Sequence, residues 1–305
     1  MKKRRVLAAR GIEYFFVLLL SRFVLLLPFD LAVSMGAGLG RLVHRMDRRH
    51  RLIGLNNLRT SFKSEKSEEA LSKILLGVYE NIGRSGIEAI RLNEMTPAEI
   101  RERTEIEGLA HYVAAKKENK GVILLGAHFG SWEWIPLALG VEGVPMHVIV
   151  RPVDNPLLDR MVQGMRERFG NVVMNKRTET GEIIKLLRKG AAIGFLLDQD
   201  VGRDKAIFVD YFGRPAATNK ALATIALRTG APVIPMFIIR KKGGHKLVIE
   251  KPMTLPRTGV LNQDMKDITT LFTKKIESYV RQYPDHWLWL HRRWKTQPEV
   301  LEVSK

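Results

Sequence analysis

The chain has 305 residues, 45% of them hydrophobic, and 50 Lys and Arg against 32 Asp and Glu give a formal net charge of +18 and a pI near 10.2. That apolar content excludes a disordered chain, and the lack of cysteine excludes a disulfide framework, a thiolate metal site and a cysteine nucleophile. The charge calls for an anionic partner, whether phospholipid surface, nucleic acid, acidic carrier protein or phosphorylated substrate.

Half of the excess charge lies in the first 60 residues, where twelve basic residues, among them Lys2, Lys3, Arg4, Arg5, Arg10, Arg45, Arg48, Arg49 and Arg51, face only Glu13, Asp30 and Asp47. Between the basic clusters Tyr14 to Leu27 is the most apolar run, broken by Ser21 and Arg22. No small-x-small cleavage site in a polar context marks it as a secretory signal. The run falls short of the roughly 20 residues a clean span needs, but continuation through Leu31 to Leu42 gives length for a tilted span or a re-entrant hairpin. We expect residues 1–50 to be a membrane-anchoring segment inserted beside anionic headgroups, and residues 51–305 to form an α/β unit. A buried core helix is the alternative reading of the same run.

From Ser67 to Leu92, apolar residues from Leu71 to Ile90 recur at helical spacing, with Gly83, Ser85 and Gly86 marking a kink or a close approach. Gly108 to Lys117 reads as a further helix. Val122 to Leu125 is a continuous apolar run of the kind a doubly covered central strand shows. After it come His128, a tight turn with Ser131 as helix N-cap, and Glu133 in the first helical turn. Met146 to Val150 is the next strand, and Arg151 stands at its end. Asn155 and Pro156 then open a helix reaching about Phe169. A short helix over Ile183 to Arg188 precedes a buried strand, Ala192 to Leu197, with Asp198, Gln199 and Asp200 at its carboxyl end.

Phe208 to Thr218 reads as an edge strand running into a helix that begins near Thr218 and ends at Gly230. Val233 to Arg240 and Lys246 to Ile249 form a hairpin, and Asp264 to Gln282 is an amphipathic helix. Strands alternating with helices predict a mainly parallel central sheet flanked by helices. Near the C-terminus Trp287, Trp289 and Trp294 interleave with His291, Arg292, Arg293 and Lys295, a pattern suited to a membrane interface or a phosphorylated glycolipid, or to packing on the last helix. No nucleic-acid-binding module accompanies them, so no nucleic acid is expected as partner.

The chemistry centres on His128, placed where open α/β sheets bind ligands, beyond the carboxyl ends of their strands. A neutral imidazole with one nitrogen held by a carboxylate presents the other as a base for a hydroxyl attacking an acyl carbonyl. Glu133 is the expected orienter. Arg151 is a candidate cation for a phosphate or carboxylate, or else pairs with Asp154. Arg214 and the backbone N–H groups near Thr218 are candidate anion binders. The carboxylates of Asp198-Gln199-Asp200 could pin Arg151, bind sugar hydroxyls or ligate a metal, and since no His or Cys joins them at ligand spacing no metal is expected.

The H-x-x-x-x-E pattern of His128 and Glu133, followed by RPVDNPLLD from Arg151, LLDQD from Leu196, FVDYFGRPAAT from Phe208 and WLWLHRRWK from Trp287, resembles the bacterial late acyltransferases of lipid A synthesis. These belong to the glycerolipid-acyltransferase-like H-x-x-x-x-D/E enzymes, and a sister branch acylating mannosylated phosphoinositides shares much of the pattern. The resemblance extends from the N-terminus to Lys295. It implies a membrane-associated α/β enzyme at the cytoplasmic face of the inner membrane, needing no cofactor or metal. The reaction implied is transfer of a fatty acyl chain from acyl carrier protein, or acyl-CoA, to a hydroxyl of a lipid A precursor. His128 and Glu133 would be catalytic, and Arg151, Asp198, Gln199, Arg214 and Thr218 would bind substrate. The competing class is a basic membrane- or nucleic-acid-binding protein without enzymatic activity.

Overall fold

A computed structural model of the chain describes residues 2–175 and 178–299, with side chains from Arg10 onward. The basic cluster at residues 2–5, expected to meet headgroups, therefore lies outside the described side chains. Helices α1 (Lys2–Leu26) and α2 (Phe29–Met46) meet at Pro28, which fixes an extended step between them. Asp47 caps α3 (Arg48–Phe62) by accepting the His50 N–H, and Ser67 caps α4 (Glu68–Leu92) through the Ala70 N–H. A capping box of Thr96 and Glu99 starts the short α5 (Pro97–Glu102).

From there strands and helices alternate, through β1 (Thr104–Glu107), α6 (Leu109–Lys117), β2 (Val122–Gly126), α7 (Trp134–Val141), β3 (His147–Val150), α8 (Pro156–Arg166), β4 (Val172–Asn175), α9 (Thr180–Arg188) and β5 (Ala192–Leu196). The chain continues as β6 (Ala206–Tyr211), β7 (Arg214–Asn219), α10 (Ala221–Thr229), β8 (Val233–Lys241), β9 (Gly244–Ile249) and α11 (Leu261–Gln282). Seven strands form one sheet in the order β1-β9-β8-β2-β5-β3-β4. Every neighbouring pair is parallel except β8 with β9, whose two-residue turn at Lys242 and Gly243 is the expected hairpin. β2 sits at the centre with all five residues buried, as a doubly covered strand must be.

The two faces of the sheet bury separate cores. Ile123, Leu125, Ile193 and Phe237 pack with α3, α4, α9, α10 and α11, whereas Val122, Leu124 and Ile234 pack with Trp134 and Leu137 of α7 and Tyr112 of α6. The expected strand-to-helix step at Phe208 to Thr218 is instead an antiparallel hairpin of β6 and β7, and α10 begins only at Ala221. Its turn is Phe212 and Gly213, both at positive φ, so the FG pair reverses the chain in the middle of the segment read as one strand. Thr218 is thereby fully buried in β7, three residues before α10 rather than at its start.

Helix α2 lies so close to α4 that glycine is required on both. A Cβ on Gly36 would stand 2.6 Å from the Gly83 carbonyl oxygen, and Cβ atoms on Gly40 and Gly83 would collide with the facing backbones of Tyr79 and Gly36. Gly36 and Gly40 are one turn apart, the small-x-x-x-small spacing that lets two helix backbones touch. Close approach, rather than a kink, thus accounts for Gly83. Gly83→Val is expected to cost at least about 1–3 kcal/mol, because rigid backbone and not a flexible tip must move. Denaturant unfolding checks this, and a wild-type midpoint would show that the helices separate freely.

The opposite stripes of both helices are apolar and exposed: Phe15, Phe16, Leu19 and Phe23 on α1, and Leu31, Met35, Leu39 and Leu42 on α2. Among the described residues no helix is long and apolar enough to cross a membrane, which corrects the expected span. Trp287, Trp289 and Trp294 are buried, packed on one another and on Tyr211 and Phe212, so these indoles are core rather than an interfacial belt.

Candidate active site

Gly126, the last residue of β2, is the register partner of Leu196, the last residue of β5. His128 and Asp198 each stand two residues beyond those partners, so two adjacent parallel strands deliver them side by side. The Asp198 carboxylate accepts from the His128 backbone N–H at 3.1 Å, and its Oδ1 lies 2.9 Å from the ring Nδ1. Its Oδ2 accepts the Trp287 indole N–H at 2.8 Å. The segment bearing Trp287 is stitched along the histidine loop, since Gly130 N–H donates to the His286 carbonyl and Leu288 N–H to that of His128. Asp198 is thus fully enclosed by donors.

The electrostatics follow. Burial alone would raise the Asp198 carboxyl, but the charge and hydrogen bonds of His128 and the Trp287 N–H outweigh it and hold Asp198 at about 2. Burial alone would lower His128, and the Asp198 charge and hydrogen bond, aided by the charge of Glu133, raise it above the ordinary 6.5 instead. With Nδ1–H donating to a carboxylate, the ring is fixed in the tautomer that leaves the Nε2 lone pair free. Gln199 sets its side-chain amide 3.3 Å from that Nε2.

Glu133, the expected orienter, lines the same cavity but makes its hydrogen bonds elsewhere. Its carboxylate makes a two-pronged pair with Arg166 of α8, 2.8 Å to Nε and 2.6 Å to Nη2. Because α7 begins at Trp134, Glu133 is the cap residue before it rather than a first-turn residue, and it points toward α8. The carboxylate that holds the imidazole is therefore Asp198, 70 positions on in the chain.

A cavity of about 440 Å³ opens beside this constellation, with His128, Glu133, Arg151, Arg166 and Gln199 among its polar lining. Arg151 is exposed and touches Asp154 only loosely, at 3.4 Å. Arg214 does not line the cavity: it donates to the Thr60 hydroxyl at 2.7 Å and lies over the Trp294 ring, and burial lowers its pKa. The Thr218 hydroxyl serves Arg293, which also donates to the Ala217 carbonyl and so braces the hairpin from inside. Asp200 caps the last turn through Thr296. The structure thus brings His128, Asp198, Gln199, Glu133 and Arg151 together and leaves Arg214 and Thr218 out.

Sequence reasoning missed Arg166 and Trp287 as neighbours of the site. Trp287 had a usable signal only in its position within WLWLHRRWK, and Arg166 had none, since one more arginine on an amphipathic helix carries no mark of a buried pair.

A strand-end imidazole held by a buried carboxylate, beside a cavity lined by apolar side chains and by Arg151 and Arg166, can take a proton from a hydroxyl. That chemistry suits acyl transfer. Residues 1–296 match the family model described as bacterial lipid A biosynthesis acyltransferase, and the chain belongs to that family and is an O-acyltransferase. It is 29% identical over 280 residues to the lipid A biosynthesis lauroyltransferase of Escherichia coli K12, covering 90% of this chain and 89% of that one. To the palmitoleoyltransferase of the same strain it is 28% identical over 275 residues, covering 89% and 87%. A lipid A biosynthesis acyltransferase of Haemophilus influenzae is 28% identical over 289 residues, covering 93% and 87%.

Proposed function

We propose that this enzyme moves a fatty acyl chain from a thioester donor, acyl carrier protein by preference, to a hydroxyl of a lipid A precursor at the cytoplasmic face of the inner membrane. The observation that carries the reading is the His128–Asp198 pair beside a cavity lined by apolar side chains and by Arg151 and Arg166. His128 Nε2 takes the proton of the acceptor hydroxyl as its oxygen attacks the thioester carbonyl. The carbon–oxygen bond forms, the tetrahedral intermediate expels the thiolate, and the imidazolium returns the proton to sulfur. Gln199 holds Nε2 until the acceptor hydroxyl displaces it. Arg166, whose buried Nη1 has no partner, supplies a cation near the developing oxyanion, and Glu133 fixes its position. Arg151 at the rim meets a phosphate of donor or acceptor.

The net charge of +18 suits an acidic carrier and an anionic lipid surface alike. The anchor occupies residues 1–50 and is built into the catalytic unit of residues 51–305 rather than hung from it, through the glycine contact of α2 with α4. The side-chain amide of Asn155, which caps α8, also donates to the Arg10 carbonyl and to Glu13 of α1, both at 2.9 Å. We therefore place α1 and α2 lengthwise in the headgroup region, apolar stripes inward.

Two experiments test the reading. Mass spectrometry of glycolipids from cells with and without the protein should show an acyl chain missing from the lipid A fraction, and an unchanged profile sinks the assignment. For the anchor, Phe15, Phe16, Leu19 and Phe23 replaced together by serine should remove the salt-insensitive part of binding and release the protein from anionic vesicles at high salt, while Arg45, Arg48 and Arg49 replaced by glutamine should remove only the part screened at high salt. Full binding by the serine variant would refute interfacial seating of α1.

A further inference from the structure

We infer that Gly194 and Met146 set the length of the acyl chain this enzyme accepts, a reading that rests on the acyl-transfer function proposed above. The cavity follows one face of the sheet. Leu124 and Gly126 of β2, Gly194 and Leu196 of β5, and Val148 and Val150 of β3 all line it, and the register pairs Leu124 with Gly194, Gly194 with Val148, and Gly126 with Leu196. These are alternate residues of adjacent parallel strands, so they project on one side. Ile135 and Pro136 of α7 close the cavity from above.

From His128 back to Leu124 the chain covers ~13 Å at ~3.3 Å per residue, and the strand residues that line the cavity along it, Leu124, Val148 and Leu196 among them, are apolar. Such a slot takes a linear apolar tail with a reactive carbonyl at its head.

Two residues of its lining meet each other. Gly194 is the glycine of a central strand, and a Cβ there would collide with the terminal methyl of Met146. Met146, buried just before β3, therefore rests its tip on bare strand backbone. Glycine inside a strand marks such a close approach, and methionine is the side chain best able to fill an irregular gap. The pair predicts opposite effects. Gly194→Ala pushes the Met146 tip into the slot and shortens it, because the obstacle is a flexible end rather than backbone. Met146→Ala removes the tip and lengthens it.

The test is to assay purified wild-type and variant protein with saturated acyl thioesters of acyl carrier protein over a range of chain lengths, with thermal melts to confirm folding. The expected result is a change of about tenfold or more in the ratio of kcat/KM for longer against shorter donors, toward shorter for Gly194→Ala and longer for Met146→Ala. If Gly194→Ala does not fold, Met146→Ala carries the test alone. Folded, active variants with the wild-type chain-length profile overturn the inference and leave acyl transfer standing. Folded variants inactive with every donor also overturn it, since the pair would then be coupled to the chemistry and not to length. A wild-type enzyme that transfers no chain from any thioester removes the proposed function and this inference together.

Discussion

Asp198→Asn is expected to lower kcat/KM by roughly 10²- to 10⁴-fold, the range of a lost or misdirected general base, and to approach the effect of His128→Ala. The amide presents a donor where the imidazole Nδ1–H needs an acceptor, so the ring turns to the wrong tautomer and Nε2 no longer carries the lone pair. Glu133→Gln should lose much less, because it weakens a pair with Arg166 and leaves the His128–Asp198 contact in place. Equal losses for Asp198→Asn and Glu133→Gln would return the orienting role to Glu133.

The same pair fixes the pH response. His128 must be neutral to accept a proton, and its raised pKa puts the acid limb of kcat/KM above the 6.5 of a free imidazole. For stability the signs differ: the His128 contribution is complete below 6.5 and lost as pH rises through the raised value, and that of Asp198 is complete above 3.8 and lost as pH falls toward about 2. Thermal melts of wild type and His128→Ala should therefore differ most between 3.8 and 6.5. A gap that widens toward alkaline pH would contradict this.

The second large effect is structural. Glu88 of α4 is 1% exposed and holds Arg240 of β8 with both carboxylate oxygens, and His245 of β9 lies 3.2 Å from Oε1. Burial would raise this carboxyl, but His245 and Arg240 together hold it near 2. Asn81 accepts from Arg240 Nε at 3.2 Å, so one cluster ties α4 to the antiparallel pair β8 and β9 within the sheet. Glu88→Ala leaves a guanidinium buried without its counter-charge and is expected to destabilise by about 3–5 kcal/mol. Denaturant unfolding at neutral pH measures it. The deficit should shrink as pH falls toward about 2, where wild-type Glu88 also loses its charge, and a pH-independent deficit would assign the loss to packing instead.

Which parts of this could be read without coordinates follows from range. Asn155 with Pro156, and Gly230, are signals that lie within four residues of the helix end they mark, and both bound their helices, whereas Ser131, read as a cap, does not, since α7 begins only at Trp134. The apolar run at β2 announced its own burial. The Asp198 contact needed the knowledge that β2 and β5 are neighbours, and sequence order places β3, α8, β4 and α9 between them. LLDQD carried the right acid, but proximity in the chain favoured Glu133. The apolar start was legible as such, yet how it is used depends on Gly36, Gly40 and Gly83, which hold α2 against α4 and leave only its other stripe exposed. Tryptophan among arginines reads as interfacial until β6 and β7 are known to cover it.

The Asn155 link between α1 and the start of α8 has a kinetic consequence. Arg151 sits four residues before that link, so the rim of the cavity is held next to α1, the helix that the proposed interfacial seating lays on lipid. An acceptor embedded in the same leaflet then arrives by lateral diffusion, and its supply is set by its mole fraction in the bilayer rather than by its concentration in bulk. Turnover should accordingly fall when inert phospholipid is added at fixed acceptor and enzyme, the behaviour called surface dilution. A Michaelis constant for this acceptor has meaning only in units of surface composition.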